Sequence, residues 1–203
     1  MSFKKSWRLG AVAVATLLAV PALAKERAAE RIYNENRQSR GITNDLGVSV
    51  SGGLNTFTGD LGNDTGVGAF LGVQADSRPL PLVGVELGYE GSRNPFENLD
   101  GALWRHNVGA LAKVGPEIGN NGNLRPFVGA GFGVSVLNPS GGSERIYNND
   151  FVTEVPLAAG VDYKFGGIRA GARATYRILG GENLGQAQNG NDVNVGLNVG
   201  GAF

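Results

Sequence analysis

The chain has no cysteine, one histidine and no methionine after the first residue. The missing cysteines exclude a disulfide scaffold, a thiolate metal site and a lipid-modified cysteine. A lone histidine cannot build a His-rich metal centre. Lys plus Arg and Asp plus Glu are equal at 18 each, so no basic excess marks a nucleic-acid partner. No apolar run is long enough to cross a bilayer as a helix. What abounds is glycine, 34 of 203 residues against a usual share of about 7%. It follows no collagen period, and much of it lies inside alternating polar and apolar segments, where glycine ordinarily weakens a strand.

Residues 1–24 carry the three parts of a secretory signal peptide. Lys4, Lys5 and Arg8 precede the apolar middle AVAVATLLAV, and ALA at 22–24 is a small-x-small cleavage site. Cleavage after Ala24 would leave 15 basic and 18 acidic residues, a formal charge of −3. Residues 25–44 are polar with no apolar stripe, and read as a short exposed helix or a disordered lead-in. Residues 45–203 read as one domain.

From residue 45 the period is two, the mark of β-strands with differently solvated faces. Eight strands are predicted, at about 45–57, 66–77, 81–91, 101–115, 123–137, 151–165, 167–179 and 191–203. One parity is apolar, as in Val83, Val85, Leu87 and Tyr89, or Val193, Val195, Leu197 and Val199. The other mixes glycine with charge, as in Gly84, Glu86, Gly88 and Glu90. Phe57, Phe70, Leu111 and Phe127 are exceptions on that polar parity. Pro156 interrupts the sixth strand and predicts a bulge. Arg169, Arg173 and Arg177 also fit a helical spacing, but flanking glycines and the Ile/Ala/Ala/Ala/Tyr/Ile alternation favour strand.

Period two does not say which face meets which solvent. A soluble eight-stranded barrel turns its apolar face inward, whereas a barrel in a bacterial outer membrane turns it to lipid. Three features favour the second. At ~3.3 Å per residue and a tilt near ~40°, ten residues cover roughly 25 Å, the height of an outer-membrane apolar band. Aromatics on the apolar parity gather near two rims, Tyr89, Trp104, Phe151 and Tyr176 at one and Tyr163, Phe165 and Phe203 at the other, as membrane interfaces select. Glycine on the opposite parity leaves room for long Arg and Glu side chains inside a narrow lumen.

In this architecture residues 45–203 resemble the small eight-stranded outer-membrane β-barrels typified by the OmpA transmembrane domain and OmpX. The resemblance rests most specifically on the alternating terminal strand closing on Phe203. It implies an all-β, up-and-down antiparallel transmembrane barrel of a Gram-negative-type outer membrane, with periplasmic termini and four exposed loops. It also implies that the last strand is an assembly signal read by the barrel assembly machinery. The peptidoglycan-binding domain that follows the barrel in OmpA has no counterpart here.

The candidate chemistry lies in the lumen. Glu86, Glu90, Glu154 and Asp162 can face Arg105, Lys113, Arg125, Lys164, Arg169, Arg173 and Arg177, either as a structural network or as a gate whose ion pairs switch. His106 falls on the lipid-facing parity. Relatives that deacylate lipid A are expected to carry a His-x-Ser pair there, but the order here is His106-Asn107-Val108, without the nucleophile. Asp60, Asp64 and Asp150 lack the spacing of a calcium loop, and their segments read as turns. No catalytic, cofactor or metal site is expected. The predicted function is a structural or interaction role in the cell envelope, with outer-membrane lipid and a surface or envelope protein as partners. The alternative is a narrow pore for water, ions or small solutes.

Overall fold

The computed structural model describes residues 45–97, 100–119, 122–141, 150–180 and 190–202. The expected signal peptide, the lead-in and Phe203 lie outside them. Eight strands, β1 (Asp45–Phe57), β2 (Gly68–Leu80), β3 (Val83–Pro95), β4 (Gly101–Val114), β5 (Leu124–Gly141), β6 (Asp150–Phe165), β7 (Ile168–Gly180) and β8 (Asn191–Ala202), form one closed barrel in sequence order. Every neighbouring pair is antiparallel, and β1 closes on β8 from Gly47↔Ala202 to Phe57↔Asp192. One end of the barrel, here the turn end, holds the tight turns at 81–82 and 166–167. The other, the loop end, holds a six-residue helix, α1 (Gly59–Asp64), between β1 and β2.

The wall is inverted relative to a water-soluble protein. Among the described residues, twenty-nine large apolar side chains are exposed and only twelve apolar ones are buried. Leu71 is 75% exposed and Phe165 73%, while Arg105 is 0% exposed and Glu154 1%. Such a surface is stable only against an apolar medium, because burying it would contribute about 25 cal/mol per Å² in water.

Three strands run past the ends their alternation predicts: β2 continues to Leu80, and β3 and β5 go further still. SRNP, read as the start of a loop, continues β3, because Ser92 and Asn94 point into the lumen and are buried. NPSG likewise continues β5. The GDLGND segment, read as a turn, is α1 and buries Leu61.

The prolines act differently from expectation. There is no bulge at Pro156: the pairs Ala130↔Leu157 and Gly133↔Glu154 share one register, and pairing with β7 runs unbroken past Pro156↔Arg177. The ladder is simply open on the β5 side, where the absent N–H would have donated. The bulge falls between Ser77 and Leu80, around Pro79 near the end of β2.

Inner glycines make room for rings. A Cβ at Gly196 would stand 2.5 Å from Phe70 Cζ and 2.6 Å from the Gly52 carbonyl oxygen. One at Gly160 would stand 2.8 Å from Phe127 Cζ. Replacing Gly196 by Val should therefore destabilise the β1–β8 seam by ~1–3 kcal/mol, the usual cost of overpacking. Urea titration of the detergent-folded chain, read by heat-modifiable gel migration, measures it; an unchanged midpoint would show that the seam can shift to accommodate the methyls.

Candidate functional site

The inward parity brings most of the predicted charges together in tiers. Nearest the loop end, Arg105 on β4 and Arg177 on β7 share the same three carboxylates. Arg105 donates from Nη2 to Glu90 at 2.6 Å and to Asp192 at 2.9 Å, and from Nη1 to Glu154 at 3.4 Å. Arg177 reaches Glu90 at 2.8 Å, Asp192 at 3.0 Å and Glu154 at 3.4 Å. Glu154 also accepts from Asn107 at 2.9 Å and from the Ser135 hydroxyl. The ionic groups alone join five strands through this one knot, and Ser135 brings in β5 as a sixth.

In the middle tier Glu86 accepts from Lys113 at 2.7 Å and from both terminal nitrogens of Arg173, at 2.7 and 2.6 Å. Lys113 lies 3.9 Å from Asp162. Both cations also lie over Phe127, at 5.0 Å for Lys113 and 5.6 Å for Arg173. A ring face is electron-rich, so an apolar exception on the polar parity still serves a cation. Near the turn end Arg169 pairs with Asp76, and Arg125 with Glu117 at 2.6 Å. Lys164 stands there too, opposite Arg169 in the β6–β7 ladder.

Asp192, Asp76 and Glu117 were not among the predicted network. Asp192 and Asp76 sit on the inward parity of β8 and β2, so the same alternation could have included them. Glu117 lies in the connection between β4 and β5, where no parity exists to assign a direction.

Above the ionic knot the lumen turns apolar. Phe57, Leu61, Phe96, Leu103, Leu137, Val152 and Leu179 form one buried cluster. Leu61 comes from α1, whose carbonyl at Leu61 accepts from the Thr65 hydroxyl at 2.6 Å. Lower down, Leu111, Phe127 and Ala158 form a second, smaller cluster. Three cavities lined by these groups among the described residues are small, about 60, 40 and 20 Å³. At ~10–15 Å³ of occupied volume per water, each holds a few waters at most.

The six predicted girdle aromatics within the described residues, Tyr89, Trp104, Phe151, Tyr163, Phe165 and Tyr176, all stand exposed on the outer wall. His106 is there as well. The Tyr89 hydroxyl lies 2.7 Å from its Nδ1, with the rings stacked at 6.2 Å. Its cross-strand partners are Gly91 and Val136, and neither supplies a hydroxyl.

A family model described as outer membrane protein beta-barrel domain matches residues 10–203. No curated protein matches the sequence. Neisserial surface protein A is similar in structure, with a TM-score of 0.61 at 15% identity, covering 78% of this chain and 97% of that one. The attachment invasion locus protein of Yersinia pestis, Ail, is similar with a TM-score of 0.50 at 15% identity, covering 79% of this chain and 99% of that one. At such identities the likeness is one of fold.

Removing one member of the knot leaves the others charged and buried, which ordinarily costs more than the pair contributes. Arg105→Met should destabilise the folded barrel by ~3–5 kcal/mol in urea titrations. Lys164→Met, at the rim, should stay within about 1 kcal/mol of the native chain. Equal effects of the two would mean that the knot is hydrated and carries no special weight.

Proposed function

The chain belongs to the outer membrane protein β-barrel domain family, and on that premise we propose that it serves the envelope as a sealed structural or interaction barrel rather than as a conduit. It is a Gram-negative outer-membrane protein whose apolar wall sits in lipid. In the proposed orientation both ends of the 45–203 domain face the periplasm and the loop end faces outward, presenting a surface or envelope protein with its binding surface. Export by the segment ending at Ala24 and insertion by the barrel assembly machinery, reading β8 and Phe203, complete the proposal.

The observation that carries this reading is the filled lumen. An apolar plug at the loop end lies above tiers of paired charge, and a hydrated ion would have to cross both. Apolar constrictions exclude ions by dewetting, and an ion-paired interior offers no open string of sites. Charge inside an eight-stranded barrel is here read as a structural lattice, since each ion must be paired or watered.

The purified chain in planar bilayers should give no steady unit conductance. Steady openings that vanish when Arg173 or Glu86 is neutralised would replace this reading with the pore. Excision of the loop segments 142–149 and 181–189 should abolish capture of the envelope partner while leaving the heat-modifiable barrel intact. Capture undiminished by both excisions would remove the loop-partner version.

A further inference from the structure

The outer wall holds one anomaly. Among the described residues of all eight strands, Arg93 is the one charged side chain on the outward parity. It is exposed and makes no ion pair with a described residue; its guanidinium instead lies over the Trp104 ring, 5.8 Å from the centroid. Arg93 and Trp104 are directly paired across β3 and β4. The next outward rung holds Gly91 and His106, the sole histidine, and Tyr89 stands one rung further in. A lone cation would ordinarily be absent from such a wall, because an unpaired charge at bilayer depth is costly.

Its depth resolves the cost. Trp104 is ten residues from Val114 along β4. At ~3.3 Å per residue and a tilt near ~40°, that is about 25 Å, the full height of the apolar band. Arg93 and Trp104 thus stand at headgroup level at the loop end, with His106 just inside. The indole attracts the guanidinium from 5.8 Å, and that group has five donors in a fork suited to phosphate. The contact between the Tyr89 hydroxyl and Nδ1 orients the imidazole, whose Nε2 is a further polar atom on the same wall and a donor in the tautomer that accepts from Tyr89. Gly91 leaves the wall open between the two, since its Cβ direction meets nothing closer than the Tyr89 hydroxyl at 3.4 Å.

We propose that Arg93, Trp104 and His106 form a binding site on the outer wall for the phosphate headgroup of an anionic lipid in the loop-end leaflet. The acyl chains of that lipid would run down over Tyr89, Val108 and Leu87, all exposed apolar or amphipathic surface. The site depends on the membrane placement of the wall and is independent of whether the lumen conducts.

Trp104 reports on the site directly, because Trp7 is the only other tryptophan and lies within the expected signal peptide. The processed chain is reconstituted in phosphatidylcholine vesicles doped with phosphatidic acid or phosphatidylcholine, each brominated near the head of the acyl chain. Phosphatidic acid should quench Trp104 at a mole fraction on the order of tenfold lower than phosphatidylcholine. Arg93→Gln should abolish that preference, His106→Gln should reduce it, and Arg93→Lys should keep only part, because an ammonium lacks the planar fork. Equal quenching by the two lipids in the native chain overturns the site, and so does a preference undiminished in Arg93→Gln. Full preference in Arg93→Lys would reduce it to a generic surface charge and overturns it as well. Quenching by neither lipid would remove the membrane placement itself, a separate failure.

Discussion

A sheet surrounded by hydrocarbon cannot carry an open edge, because each unpaired N–H or C=O there lacks any water to satisfy it. The pairing of β1 with β8 over eleven residues removes both edges at once. Closure makes one face of every strand convex and the other concave, and most of the remaining architecture follows. The convex face takes aliphatic side chains. The concave face is too narrow for eight full side chains per level, so glycine alternates with the long ionic residues and the rings that fill the centre.

The interior is graded along the axis. The knot near the loop end holds three carboxylates against two guanidiniums, with Ser135 and Asn107 supplying further donors to Glu154. The middle tier is balanced, two against two. With the Asp76–Arg169 pair nearer the turn end, these charges are drawn from β2, β3, β4, β6, β7 and β8, so they tie together strands that are not neighbours in the sheet. Buried ion pairs add little net stability compared with an apolar core, but they disfavour slipped registers, since a shift by one residue would place charge on the outer wall.

Much of this was legible in the sequence. Eight strands and the split between faces follow from alternation, their up-and-down order was what the family resemblance implied, and the boundaries of β1, β6 and β7 fall within a residue of their predicted positions. Alternation is informative only while the two faces meet different solvents. Where β3 and β5 rise past the apolar band both faces become polar, the contrast vanishes, and SRNP and NPSG look like loops although they remain in the ladder. The same limit hid Leu61, which enters the lumen from a connection, and Glu117, which pairs with Arg125 from another. Pro156 misled for another reason: a proline demands only a missing donor, and the sheet met that demand with a gap instead of an inserted residue. Arg93 was invisible because its neighbours in SRNP had already been assigned to a loop.

The two-residue connections at the turn end have a kinetic corollary. Strands β6 and β7 are joined through Gly166 and Gly167, with Gly166 at φ 59°, so this hairpin needs almost no chain entropy to form. The partners of the seam, by contrast, stand at opposite ends of the domain in sequence. Local hairpins are therefore expected to zip early and the seam last, leaving an intermediate with two bare edges and an oily exterior. A polypeptide that must wait in that state needs shelter from its own kind, and its hazard in the cell is set by the lifetime of that open sheet more than by the strength of the finished one.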